Sequence, residues 1–360
     1  MMKYKGITVG LLFAAVLSAC GGGGGGGGGV SVALQPLAID ASNAMQVTAA
    51  VLDASAFVVD VGDTGGPITG VVVVGDNTQF DLEKVIRTRL DLFSVLHEQT
   101  ATTLITGVVI PPTKENCSVS GTVTLSGEIA DMTLTTLTPG DTLNAVFNKC
   151  DDGDGLVLNG TMALVVVSST GTIDLDPNSG SLFIPPYNYT FDATLTNLAI
   201  KETVSGSTFT ANGDVTLQED SNDGVFINSG LSGTSLKVKT PDTTDTLTNY
   251  QILSTLDQGN LAYTMDGKGT LSSTQLGGIV DFLTTTPFTG VGTGYPDTGG
   301  QMDITGATVV GGTGPSNVTV FAVNSTCVRL LVDPNGDGVT SDIVTTWESL
   351  PTGIPVDCPI

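Results

Sequence analysis

The chain has 360 residues, long enough for one large β domain or two smaller ones, with 13% charged and 5% aromatic side chains. A formal net charge of −24, from 36 acids against 12 lysines and arginines, disfavours nucleic acid and anionic lipid surfaces as partners. Val, Ile, Leu and Ala dominate the apolar share while Thr, Ser, Gly, Asp and Asn fill the remainder, the composition of an all-β extracytoplasmic protein.

Residues 1–20 read as a targeting segment. Lys3 and Lys5 precede an apolar run from Gly10 to Val16, closed by Leu17, Ser18, Ala19 and Cys20. This ending resembles the lipobox of bacterial lipoproteins. The resemblance implies diacylation of the Cys20 thiol, cleavage before it and acylation of the new amino terminus, so the chain would meet the membrane through a lipid anchor. Gly21 follows the cysteine instead of Asp, which by the sorting habit of that family implies the outer membrane. Residues 21–36 form a tether, opened by unbroken glycine from Gly21 to Gly29. Such a coil spans roughly 15 to 18 Å. Residues 37–360 are expected to be a single β-rich body.

Within the body, Val47 to Leu52, Ala56 to Val61 and Val71 to Val74 read as short strands. Residues 77–98 read as an amphipathic helix: Leu82, Val85, Ile86, Arg89, Leu90, Phe93 and Leu96 follow helical spacing, with Lys84, Arg87 and Arg89 toward the solvated side. Such a helix would cover a sheet edge. His97, the lone histidine, would sit at its C-terminal end as a cation favoured by the helix dipole. The chain is expected to turn from Gly107 to Pro112 and to enter its sheet at Cys117.

From there apolar residues fall on every second position, the signature of strands. Strands are predicted at about 119–125, 130–137, 142–148, 156–167, 187–200, 207–217, 225–238, 247–256, 260–272, 301–310, 317–323 and 327–332. A glycine often takes an inward place in this alternation, as at Gly121, Gly160, Gly213, Gly267 and Gly306. Asn159-Gly160 and Asn212-Gly213 resemble two-residue hairpin turns. The phase opposes that reading: Val215 and Leu217 keep the parity of Phe209 and Ala211, whereas a turn would reverse it. Long strands bent at an inward glycine are therefore expected. A parity change between Leu195 and Leu198 predicts a bulge near Asn197. Gly277 to Leu283 reads as a short helical turn and Pro287 to Gly300 as a loop. The expected fold is all-β: a large antiparallel curved sheet, sandwich or open barrel.

Cys117, Cys150, Cys327 and Cys358 remain beside the lipobox cysteine, an even number in an oxidising compartment. Of the three connectivities, Cys117 with Cys150 and Cys327 with Cys358 is preferred, since near neighbours close local loops in a meander. Zinc is rejected because the sequence has one histidine and no CxxC pair. The sharpest motif is Asp333-Pro334-Asn335-Gly336-Asp337-Gly338, which resembles the opening of the calcium loop of EF-hands and dockerins. That resemblance implies calcium oxygens from Asp333, Asn335 and Asp337, with Asp342 as a further donor. It departs from the EF-hand at Val344, where a bidentate Glu belongs. Weaker echoes lie at Asp151, Asp152 and Asp154, and at Asp220, Asn222 and Asp223. Trp347 beside Glu348 is a candidate sugar-stacking platform.

No catalytic motif stands out: there is no GxSxG, no phosphate-binding loop and no pair of histidines for a metal. The body resembles β-rich surface lipoproteins of Gram-negative bacteria. The expected function is a lipid-anchored envelope protein with a non-enzymatic structural or binding role toward an unidentified protein, glycan or lipid, stabilised by calcium. Two alternatives stand beside it. One is a periplasmic carrier holding an apolar ligand in the hollow of its sheet; the other is a glycan-active enzyme using paired carboxylates.

Overall fold

The computed structural model describes residues 33–56, 108–130, 137–173, 183–292, 294–297 and 299–358, together with Leu82, Val85, Ile86, Arg89, Leu92 and Phe93. Met1–Ala33 separates from Leu34–Ile360, which forms one compact unit. That unit opens with helix α1 (Ala44–Ala56) and continues as a meander of strands. These are β1 (Val108–Asn116), β2 (Ser120–Ile129), β3 (Thr142–Asp151), β4 (Leu156–Ile173), β5 (Phe183–Glu202), β6 (Thr208–Ser221), β7 (Phe226–Lys239) and β8 (Thr244–Asp257). There follow β9 (Ala262–Ser273), β10 (Gly278–Thr286), β11 (Phe288–Val291), β12 (Gln301–Thr308), β13 (Pro315–Ala322), β14 (Cys327–Asp333) and β15 (Ser341–Thr346), then a 3-10 turn at Trp347–Thr352. Each strand pairs antiparallel with its neighbour in sequence, except that β10 passes directly to β12 while β11 folds back onto β9. Among the described residues the result is one 15-stranded sheet that does not close on itself.

Alternation makes one face of this sheet the core. On β5, Tyr187, Tyr189, Phe191, Ala193 and Leu195 are buried, and after Asn197 the buried set becomes Leu198 and Ile200. The register slips between Leu195 and Leu198 and Asn197 adopts φ 47°, so the bulge expected there is present. The other face carries Thr, Asp and Asn that bond across strands. Thr216 donates to Asp192 at 2.6 Å, Thr270 to Asp281 at 2.5 Å and Asn228 to Asp220 at 2.9 Å. Many of the chain's acids are thus spent on a solvated polar face.

Gly160 and Gly213 sit inside β4 and β6, as the phase requires, and not at hairpin turns. Their φ values are 123° and 136°, and a Cβ would stand 2.2 Å from the Asn197 carbonyl oxygen and 2.0 Å from that of Ser235. Only glycine lets the bulged neighbour come so close. Register slips recur on the β2–β3, β3–β4, β4–β5, β5–β6 and β6–β7 pairs, so the bend passes from strand to strand and curves the sheet. Gly306 serves another purpose: Leu37 O accepts from Ala307 N at 2.7 Å, and a side chain at 306 would occupy that oxygen's place. Segment 35–37 also bonds Ile279, which ties the start of the unit to β10 and β12.

Several elements differ from expectation. Val47 to Leu52 belongs to α1, because Ala44, Val47, Thr48, Val51, Leu52 and Ser55 repeat at helical spacing and are all buried. The turn expected from Gly107 to Pro112 is the edge strand β1, which tolerates Pro111 and Pro112 through a register slip between Ile110 and Thr113. Gly277 to Leu283 enters strand β10 with Val280 and Phe282 inward, and part of the loop expected at 287–300 is β11. Strand β15 follows β14 beyond the last strand expected. In the stretch 77–98, Leu82, Val85, Ile86, Leu92 and Phe93 are helical and buried. Arg89 is buried too, not on the solvated side. The strands expected at 71–74, beyond Ala56 and at 131–136, and His97, lie outside the described residues.

Candidate functional site

The loop between β14 and β15 gathers Asp333, Asn335 and Asp337 into one turn. Asp333 is buried, and its Oδ1 accepts from the backbone N–H of Asn335, Gly336 and Asp337 at 3.3, 2.8 and 3.3 Å, while Oδ2 accepts from Gly338 at 2.8 Å. Burial pushes this carboxyl up, but those amides outweigh it and hold its pKa below the ordinary value. Asn335 Nδ2 donates to Asp337 Oδ2 at 2.9 Å, and Asp337 Oδ1 accepts from Val339 N at 2.8 Å. The carbonyls of Asn335 and Gly336 are held by Thr313 from the β12–β13 turn. Asp342 does not join this loop. It bonds Arg329 diagonally across the β14–β15 ladder in a forked pair at 3.0 and 2.7 Å, with both side chains about half exposed. Among the described residues, Asp333, Asp337 and Asp342 do not bring three carboxylate oxygens within 4.8 Å of one another.

A second acidic turn has found its cation inside the protein. Arg89 Nη2 lies 2.6 Å from Asp154 Oδ2 and its Nη1 lies 3.4 Å from Asp152 Oδ2, the guanidinium 5% exposed and the carboxylates 29% and 31%. Asp152 also accepts from Ser118 N at 2.9 Å and lies beside the sulfur of Cys150. The planar fork of arginine suits two acceptors set side by side. The sequence signal was present: Arg89 shares the helical face of Leu82, Val85, Ile86 and Phe93, and an arginine on an apolar stripe needs a buried partner.

The cysteines pair as preferred, Cys117 with Cys150 and Cys327 with Cys358, at Cα separations of 5.4 and 5.9 Å. Asp152, beside the Cys117–Cys150 bridge, is therefore a carboxylate next to a disulfide, with no thiolates for a metal. Asp223 closes the β6–β7 turn through Val225 N and Phe226 N, and Asp220 bonds Asn228. Trp347 is not a platform. It is 1% exposed, stacks on Tyr295 at 5.7 Å and donates Nε1–H to Asn324 O at 3.0 Å. Its place is the core.

One further pair has no local sequence signal, since the apolar run Val47 to Leu52 reads as a strand and not as part of α1. Asp53 of α1 and Asp245 of β8 each bury an Oδ1 without a hydrogen-bond partner. Burial first, and the charge of Asp245 second, push Asp53 up to about 8. Burial also raises Asp245, partly offset by a hydrogen bond from Ser273, which stands opposite it on β9. At neutral pH Asp53 is therefore mainly the neutral acid. Cys20 lies outside the described residues. No helix among the described residues is long and apolar enough to cross a membrane. No protein-family model, curated protein or solved structure matches the chain.

Proposed function

We propose that this chain is a lipid-anchored envelope protein of the outer membrane whose role is structural or binding, not catalytic. The observation that carries this reading is the lipobox-like ending at Leu17 to Cys20, followed by the glycine run to Gly29. The paired cysteines suit the same oxidising compartment. Acyl chains on Cys20 would hold the disulfide-tied sheet at the membrane through the glycine-rich tether.

Metabolic labelling with an alkyne palmitate analogue, followed by membrane fractionation, tests the anchor. The expected result is a labelled chain in the outer-membrane fraction and an unlabelled, soluble Cys20→Ser variant. An unlabelled parent chain, or a Cys20→Ser variant that keeps the label, would sink the reading.

The alternatives have less support. Inner-face side chains such as Leu158, Ile200, Leu236 and Ile252 are entirely buried, which leaves little room for a carried ligand beside them. Asp53 and Asp245 each bury an Oδ1, which does not suit carboxylates that must reach a glycan. Calcium is a second reading, favoured by the gathering of Asp333, Asn335 and Asp337 in a single turn. These residues fit a cation in part, since Asp342 is taken by Arg329. Melting in millimolar calcium and then in chelator decides it. A rise that vanishes in Asp337→Ala supports a metal loop, and no rise reduces it to a hydrogen-bonded turn.

A further inference from the structure

We propose that the end of the sheet formed by the β6–β7 and β8–β9 turns and by β11 is a docking surface for a basic, apolar segment of another protein. The apolar part consists of Val225, Phe226, Leu261 and Val291, exposed by 40, 51, 37 and 59%. They come from three separate stretches that the backbone draws together. Gln258 N donates to Val225 O at 2.8 Å and Gly292 N donates to Leu261 O at 2.8 Å. A Cβ on Gly259 would lie 3.7 Å from the Val225 side chain, so neighbouring turns are in near contact. Scattered exposed apolar side chains need no explanation, but a cluster gathered from three elements does.

Charge names the partner. The stretches 219–229, 255–264 and 286–297 contain no lysine or arginine, while Asp223 and Asp257 flank the exposed apolar residues. The lysines Lys149, Lys201, Lys237 and Lys239 lie on the far ends of β3, β5 and β7, at the opposite turns. Asp223 is held in its ionised form by the N–H groups of Phe226 and Val225. An anionic lipid surface would be repelled here, whereas a segment alternating lysine with leucine would meet apolar contact and opposite charge together. Because hydrogen bonds already pin the turns, little ordering is needed on this side. This surface is independent of whether Cys20 is acylated.

The test is titration of the full chain with a fluorescent peptide of alternating lysine and leucine, at low and high salt. Parallel titrations use an alternating glutamate and leucine peptide and vesicles of phosphatidylglycerol and phosphatidylcholine. Saturable binding is expected for the basic peptide only, weakened about ten-fold by Phe226→Ser or Val291→Ser. Salt dependence should fall in the Asp223→Asn, Asp257→Asn double variant, since Asn retains an acceptor for the turn amides. Thermal melts of the variants should match the parent chain, which separates lost contact from lost fold. The proposal is overturned by no binding of the basic peptide, by binding that ignores Phe226→Ser and Val291→Ser, or by equal binding of the acidic peptide. Phe226-dependent capture of vesicles would make the surface a membrane contact and would overturn it too.

Discussion

Replacing Asp53 by Asn should stabilise the protein at neutral pH and remove much of its pH dependence. In the folded chain burial and the nearby Asp245 raise Asp53 from 3.8 to about 8. In the unfolded chain it ionises near its ordinary value. The unfolded state therefore sheds this proton first, and stability falls as pH rises from about 4 to about 8, then levels off. This is the reverse of the usual salt-bridged aspartate. Each unit is worth about 1.4 kcal/mol, so by pH 7 the deficit approaches about 4 kcal/mol, an upper limit because α1 can open slightly to admit water. An asparagine has no charge to bury and so escapes this penalty. For a body of this size, about 2 °C per kcal/mol translates to a rise of up to roughly 8 °C at pH 7. The assay is thermal melting of the parent and Asp53→Asn at intervals from pH 5 to pH 9. The parent should melt progressively lower up to about pH 8 and level off beyond it, and the variant should change much less. Equal slopes for the two, or a variant that melts below the parent at pH 7, would refute the buried-acid argument.

Gly213→Ala should cost at least about 3 kcal/mol, since φ is 136° and the new Cβ would meet the Ser235 carbonyl at 2.0 Å. Denaturant unfolding measures this loss, and a near-neutral result would mean that β6 runs straight there. Arg89→Lys should cost about 2 kcal/mol despite keeping the charge, because an ammonium cannot span Asp152 and Asp154 as the two Nη atoms do. A Lys variant with parent stability in chemical denaturation would show that the fork is unimportant. Replacing Cys117 and Cys150 together by Ser should lower stability by about 4 kcal/mol, the loop-closure value for a separation of 33 residues. The same unfolding curve checks it, with no loss meaning that the reduced chain already holds this loop closed.

Period-two alternation was enough to place most of the strands from β2 to β14, because each strand buries one face and a shift of one residue would turn it inside out. The inward glycines could be separated from hairpin glycines for the same reason: parity persists through Gly213 and would reverse at a turn. The disulfide pairing followed from a meander in which sequence neighbours are spatial neighbours. Helix α1 was misread because Val47 to Leu52 is a short apolar run, which alternation alone cannot distinguish from a strand. The Arg89 fork, the turning of Asp342 toward Arg329 and the Asp53–Asp245 pair depend on which distant residues the curved sheet brings together. Local pattern records which side a residue faces. It holds no information about what waits on that side, since buried charge is set by partners 63 to 65 residues away for Arg89 and farther still for Asp53. Only the closed packing of helix on sheet decides those energies, because desolvation and pairing arise from the surroundings and not from the residue itself.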